Sequence, residues 1–367
     1  MDSLKLPLLE PHRTTLEKCV YCPKLSRAAC PVSNVEGSET VTPWGKMSMA
    51  YFAARGDVPI DAAHADPAWA CTGCYACRER CDHKNEVATV LTDARAEMFE
   101  RGAAPMGARS VAAKWEARSA EAARALEAIE REEGDGSSAG SVRVLVGCGY
   151  ARHAPEVARD ALRAVRALTG RPVRAVRACC GLPLLYAGDR KGFQDAARRL
   201  VEEVAGADRV IAVDPGCART LLVEYSRAGV PEVKATLFVD LALAELSRLQ
   251  PLPMEREAVR YHDPCQLGRG LGRFAEPRAV LARITGRPPE EFLRNRLAAE
   301  CSGAGGILPV TRPASSSRIA EDRIAEHRAL GGGLLVTACA QSLRRFRASG
   351  ENAADLVSLV ARAAVPR

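Results

Sequence analysis

The stretch GDRKGFQDAARRLVEEVAGADRVIAVDPGC, residues 188–217, decides the fold. Residues 191–206 carry apolar positions at helical spacing, a glycine turn follows, and RVIAVD (209–214) is an apolar run of strand length. Cys217 closes the unit. PASSSRIAEDRIAEHRALGGGLLVTAC (313–339) repeats the same order of helix, glycine turn, apolar strand and cysteine. Cys179, Cys180 and Cys217 recur as Cys301, Ser302 and Cys339, each 122 residues on (179 to 301, 180 to 302, 217 to 339), and Cys148 recurs as Cys265 at a slightly different offset. Such self-similarity indicates two copies of one supersecondary unit. Around the first copy, VRVLVGC (142–148) and VRAVRA (173–178) read as strands, and 154–168 and 218–228 as helices. Strands alternating with helices of this length predict parallel sheets, whose carboxyl edges are where such folds place ligands. Cys148, Cys179, Cys180 and Cys217 all fall at strand ends, so the pattern predicts a four-thiol site there, with Cys265, Cys301 and Cys339 as its counterpart.

Working upstream, residues 1–100 hold seven of the fourteen cysteines and little periodicity beyond an apolar stretch near Met47–Ala54, which predicts a small module ordered by metal rather than by a large core. Its centre is Cys71-x2-Cys74-x2-Cys77-x3-Cys81, the spacing that builds 4Fe–4S cubes. In two-cube modules the first three cysteines hold one cube and the fourth crosses to the other. The partner motif is Cys19-x2-Cys22-x7-Cys30-Pro31, so Cys30 completes the cube of Cys71, Cys74 and Cys77. The second cube would take Cys19, Cys22 and Cys81, with Ser26 where a third cysteine is expected. A serine or water ligand, a three-iron cluster and an empty site all remain open, and Asp82 or His83 could substitute. Zinc is the competing occupant of C-x2-C pairs, but Cys74 belongs to two overlapping pairs, which suits a cube better than one tetrahedral ion. Residues 108–133 read as one long helix, and Gly134–Gly140 as a linker. The expected organisation is therefore α+β: a helical ferredoxin-like module over 1–100, helix and linker over 101–140, and α/β repeats with parallel sheets over 141–250 and 251–367.

Composition narrows the class. The chain has 367 residues, 47% of them apolar, with a net charge of +7 spread along its length and few aromatics, which excludes a disordered chain and argues against a nucleic-acid binder. No apolar run approaches the ~20 residues that span a bilayer, and Met1–Pro11 lacks the order of a signal peptide. The expectation is a cytoplasmic protein, or one held beside the inner membrane by a partner, whose cysteines serve as metal ligands. Gly147-Cys148-Gly149 is followed by Arg152 where a nucleotide fingerprint needs glycine. Gly303-Ala304-Gly305-Gly306 suits backbone approach to a cluster or a tight turn. His262-Asp263 suits a proton shuttle, a ligand-orienting pair or a satisfied strand end.

GCGYARHAPEV (147–157), CCGLP (179–183), AGD (187–189) and DPGC (214–217), with YHDPCQLGR (261–269), EPR (276–278), CSGAGG (301–306) and TAC (337–339), resemble the two cysteine-rich CCG domains of heterodisulfide reductase iron–sulfur subunits. The iron–sulfur subunits of glycolate oxidase, anaerobic glycerol-3-phosphate dehydrogenase and lactate-utilisation complexes share them. The resemblance covers nearly the whole chain and implies an electron-transfer subunit. It would take electrons from a flavoprotein dehydrogenase acting on a hydroxy acid or similar substrate and pass them to a quinone or membrane-bound acceptor. It also implies a further iron–sulfur cluster in the CCG repeats. The chain departs from the pattern at Asp214 and Thr220, beside Cys217, and at Ser302 and Ser342 in the second repeat. Heterodisulfide cleavage needs loaded clusters in both repeats, so simple electron relay or one surviving active cluster is the expectation. A metal-stabilised scaffold with lost redox function is the alternative.

Overall fold

A computed structural model describes residues 3–133, 142–253 and 258–365, so the linker expected at 134–140 lies outside the described residues. Helix accounts for 61% of the chain and the strands are three or four residues long, which makes the fold α+β. The chain divides into two compact units, one of Met1–Trp115, Pro183–Phe193 and Leu297–Arg323, the other of Glu116–Leu182, Gln194–Arg296 and Ile324–Arg367. Among the described residues no helix is long and apolar enough to cross a membrane.

The first unit is built from short helices, including Arg13–Val20, Pro31–Glu36, Pro43–Arg55, Ala62–Trp69 and Val87–Glu100. Its core is more developed than the sequence suggests: Leu6, Leu9, Leu16, Met47, Trp69, Val90 and Leu91 are all fully buried in one cluster. Each short helix contributes only a few of these residues, so no single window shows the periodicity. Caps set the helix starts. Thr42 accepts from Gly45 N at 3.0 Å with Pro43 at the first position, and Asp61 accepts from Ala63 N and His64 N, each at 3.0 Å. Gly45 permits a close approach, because a Cβ there would stand 2.3 Å from Glu39 O. The helix expected over 108–133 is interrupted at Lys114, giving Met106–Ala113 and Trp115–Glu133.

The second unit carries two parallel sheets. Strands β1 (Val142–Leu145), β2 (Val173–Ala175), β3 (Val210–Ala212) and β4 (Ala235–Leu237) lie in the order β2-β1-β3-β4. Strands β5 (Val259–Tyr261), β6 (Leu334–Thr337) and β7 (Ala353–Asp355) lie in the order β5-β6-β7. Superposing the repeats by sequence order matches β1 with β5, β3 with β6 and β4 with β7. The position of β2 is taken by a lone parallel bridge between Arg260 and Glu290, where Tyr261 N donates to Glu290 O at 3.1 Å and Glu290 N to Val259 O at 2.7 Å. The internal repeat is thus a structural one. Both sheets feed one apolar core, including Val144, Ile211, Leu335 and Val336, covered by amphipathic helices such as Pro155–Thr169 and Leu356–Ala363.

Candidate iron–sulfur sites

Cys30 is a single extended residue between the turn Arg27–Ala29 and the helix that Pro31 starts, while Cys71–Tyr75 forms a tight loop that leads Cys77 into the short helix Ala76–Glu79. The loop turns on two left-handed residues, Gly73 (φ 68°) and Tyr75 (φ 61°), and the Gly73 N–H points at Cys71 Sγ at 3.4 Å. The four thiols of Cys30, Cys71, Cys74 and Cys77 fall within one electrostatic neighbourhood. Burial pushes the Cys77 thiol well up, and Cys71, Cys74 and Cys30 push it further. Lys46, 2% exposed, donates from Nζ to Cys30 Sγ at 3.2 Å. Burial disfavours its ammonium form, but Cys30, Cys71 and Cys77 outweigh that and raise its pKa. The buried Arg95 guanidinium ties down the loop backbone: it donates to Ala68 O at 3.0 and 2.8 Å, to Cys71 O at 2.7 Å and to Tyr186 O at 3.3 Å. Neither cation was legible as part of the site, although a lysine inside the apolar stretch PWGKMSMAYFAA (43–54) is a signal that could have found one.

Cys19, Cys22, Ser26 and Cys81 line one cavity of about 300 Å³, together with Cys77, Asp82, His83 and Asn85. The Cys19 thiol is pushed up to about 12, first by burial and then by Cys22 and Cys81. Ser26 stands at the start of the turn Arg27–Ala29 but makes no capping bond with its hydroxyl.

In the second unit the carboxyl ends of β1, β2 and β3 deliver Cys148, Cys179-Cys180 and Cys217 to one place. Cys179 Sγ lies 3.8 Å from Cys148 Sγ and Cys180 Sγ lies 3.4 Å from Cys217 Sγ. Gly147 (φ 101°) makes room for them: a Cβ there would meet Asp214 Cβ at 3.0 Å and Cys217 Sγ at 3.4 Å. The Asp214 carboxylate, at the position where the family pattern often has cysteine, accepts from Gly216 N (2.9 Å), Cys217 N (3.3 Å) and Ala340 N (3.1 Å). Burial still leaves its pKa raised. Past Cys217 the helix widens into a π-helical turn at Thr220–Glu224, a feature frequent at functional sites.

The second cysteine set is distributed differently. Cys265 and Cys339 follow β5 and β6 in the second unit, where burial, then Asp214, raise the Cys339 thiol, while hydrogen bonds from the Ser342 N–H and hydroxyl pull the other way. Cys301 and Ser302 are buried in the first unit, and Gly303 N points at Cys301 Sγ at 3.3 Å. The glycines that follow make the close backbone approach: Cβ atoms at Gly305 and Gly306 would stand 2.4 Å from Thr72 O and 2.2 Å from Cys71 O. Asp263 is held by both terminal nitrogens of Arg278 at 2.7 and 2.8 Å and by Arg296 N at 2.9 Å, as a satisfied strand-end residue is.

Residues 15–85 match the model of a 4Fe–4S dicluster domain, and residues 142–222 and 259–343 match a cysteine-rich domain. Among curated relatives, one subunit of the fumarate reductase (CoM/CoB) of Methanothermobacter marburgensis is 27% identical over 88% of this chain and 66% of its own length. A subunit of the dihydromethanophenazine:CoB–CoM heterodisulfide reductase of Methanosarcina barkeri is 29% identical over 50% of this chain and 49% of its own. A lactate utilization protein of Shouchella clausii is 26% identical over 44% of this chain and 70% of its own. The chain therefore spans about half to two thirds of the length of the first two relatives.

Proposed function

The chain belongs to the family of iron–sulfur subunits that join a 4Fe–4S dicluster module to cysteine-rich CCG domains, and from that premise we propose that it relays electrons within a multi-subunit oxidoreductase. The donor would be a flavoprotein dehydrogenase subunit acting on a hydroxy acid or similar substrate, and the acceptor a quinone or a membrane-bound carrier. Cys30, Cys71, Cys74 and Cys77 would hold one cube. Cys19, Cys22 and Cys81, with Ser26 in the same cavity, would hold a second. Cys148, Cys179, Cys180 and Cys217 would hold a further cluster, with Cys265, Cys301 and Cys339 as a reduced second set.

The donor chemistry fits. Soft thiolates select iron–sulfur clusters, and a buried ammonium beside four cysteines needs an anionic neighbour. When bound, such clusters accept and release single electrons. The chain's own residues supply the rest. Arg95 and the left-handed turns at Gly73 and Tyr75 fix the cysteine loop. Asp214 orients the backbone at Cys217. One observation carries the reading: within the first unit the Cys71–Cys77 loop is covered by the segments that continue from both cysteine motifs. Tyr186 Oη would lie 3.2 Å from a Cβ at Gly73, six residues along from Cys180, and Gly306 sits on Cys71, five residues along from Cys301. Such packing preorganises the loop for a cluster, whose role in the chain we read as electron relay. With Ser302 and Ser342 in place of cysteines, it is favoured over heterodisulfide cleavage.

Anaerobic purification followed by iron, acid-labile sulfide and zinc analysis, with spectra before and after dithionite, tests the proposal. A brown protein with at least one cube of iron that bleaches on reduction is expected. A colourless zinc protein overturns it and leaves the scaffold alternative.

A further inference from the structure

Lys46 is the feature that cluster binding alone does not account for. It lies in the helix Pro43–Arg55, whose start is pinned by the Thr42 cap and by Gly45 lying against the Glu39 carbonyl. Position 46 of this helix faces inward at 2% exposure. Among the described residues no carboxylate pairs with its ammonium; Cys30 Sγ, at 3.2 Å, is its hydrogen-bond acceptor. Arg95, the other buried cation nearby, is different, because its guanidinium is taken up by the carbonyls of Ala68, Cys71 and Tyr186. A lysine is a compact point charge with three donors, and a buried one is stable only against an anion.

We propose that Lys46 is a tuning residue for the N-terminal cube: through its hydrogen bond to Cys30 Sγ it places a permanent positive charge against the thiolate set and makes that cluster easier to reduce. The proposal rests on the reading of Cys30, Cys71, Cys74 and Cys77 as cluster ligands. The physical step is the addition of one electron from an external reductant, with no bond made or broken. A cube held by four thiolates is a net anion and becomes more negative on reduction. A cation at hydrogen-bond distance from a ligand sulfur therefore stabilises the reduced state more than the oxidised one. Burial removes the solvent screening that would weaken the effect at a surface.

The test compares wild type, Lys46→Met and Lys46→Arg, each purified anaerobically as the full chain. Iron and sulfide are measured per chain, and the midpoint of the N-terminal cube is followed by electron paramagnetic resonance in a dithionite titration. The relevant signal is assigned as the one lost in Cys74→Ala. Lys46→Met is expected to keep its iron while its reduced-to-oxidised ratio at a fixed potential falls by at least about tenfold, a drop of about 59 mV for a one-electron couple. Lys46→Arg is expected to recover most of that shift, and retention of the cube by Arg but not by Met also supports a requirement for charge. A fully loaded Lys46→Met with an unmoved midpoint overturns the proposal while leaving the cluster reading intact, as does equal loss of iron in both variants. A wild-type protein without the cube overturns both.

Discussion

Asp355 shows what one buried group can do to the whole molecule. It is fully buried at the end of β7, where Tyr150 Oη donates to it at 2.6 Å and Val357 N at 3.0 Å. Burial raises its pKa from 3.8 to about 7, the two hydrogen bonds oppose this, and the Asp214 carboxylate adds to it. The folded chain thus holds a proton up to about pH 7 that the unfolded chain releases near pH 4. The stability this proton contributes is complete below about pH 4 and is lost as pH rises to 7, with a ceiling on the order of 4 kcal/mol. Asparagine cannot ionise; its Oδ1 can accept from Val357 N while its Nδ2 donates to the Tyr150 hydroxyl, reversing that bond. Asp355→Asn should therefore flatten this slope, gaining on wild type between pH 5 and pH 8 in urea unfolding. A difference between the two proteins that stays constant with pH would show that Asp355 titrates normally. Ser26 offers a second test at this scale. It lines the cavity of Cys19, Cys22 and Cys81, and a thiolate is the softer ligand for iron. Ser26→Cys should raise iron content or its retention under chelator. Iron and spectrum both unchanged would remove Ser26 from the missing ligand position.

At the scale of elements, Arg95 fastens the helix Val87–Glu100 to Ala68 O at the end of the helix Ala62–Trp69, to Cys71 O at the start of the cysteine loop and to Tyr186 O. Arg95→Met keeps most of the apolar stem and leaves those carbonyls without their charged donor. A loss of about 3–5 kcal/mol in unfolding free energy is expected. A loss below about 1 kcal/mol would mean that water replaces the guanidinium. Element by element, legibility tracked burial. Strands β1 (VRVL), β3 (VIA) and β6 (LLVT) were readable because each is mostly Val, Ile, Leu or Ala and ends near a cysteine. The strands β4 and β7, ATL and AAD, are three residues long and carry no apolar alternation, so nothing local marks them. The bridge at Glu290 is set by pairing with β5 alone, which no reading of Pro288–Glu291 reveals. The spacing groups the cysteines, and the structure brings Cys148 near Cys179, Cys180 near Cys217, and Cys19, Cys22 and Cys81 to one cavity. Lys46 and Arg95 were not readable from the sequence, since a charge inside a helix reads as a solvated face until its neighbours are known.

For the whole molecule, the repeat explains why the first unit gathers two segments from far along the chain. Residues 183–193 and 297–323 both join it, each continuing from or surrounding a cysteine pair position of its repeat. The glycine-rich run after Cys301 suggests backbone approach to a cluster or a tight turn; its neighbour in the structure is the Cys71–Thr72 backbone. Gly306 has φ 62°, and a Cβ there would stand 2.2 Å from Cys71 O. That neighbour is backbone and cannot swing aside as a side chain would. Gly306→Ala therefore adds strain and a clash at a residue that is itself no candidate ligand, at a cost of about 1–3 kcal/mol. Because the clash falls on the loop, the cube of Cys30, Cys71, Cys74 and Cys77 should be lost or become oxygen-labile first. The thiol set of Cys148, Cys179, Cys180 and Cys217 lies in the other unit and should keep whatever it binds. Iron per chain, read with the resonance signal assigned by Cys74→Ala, separates the two. Equal loss from both sites would mean that Gly306 supports the fold at large, and no loss would mean that the loop yields without disturbing its cysteines.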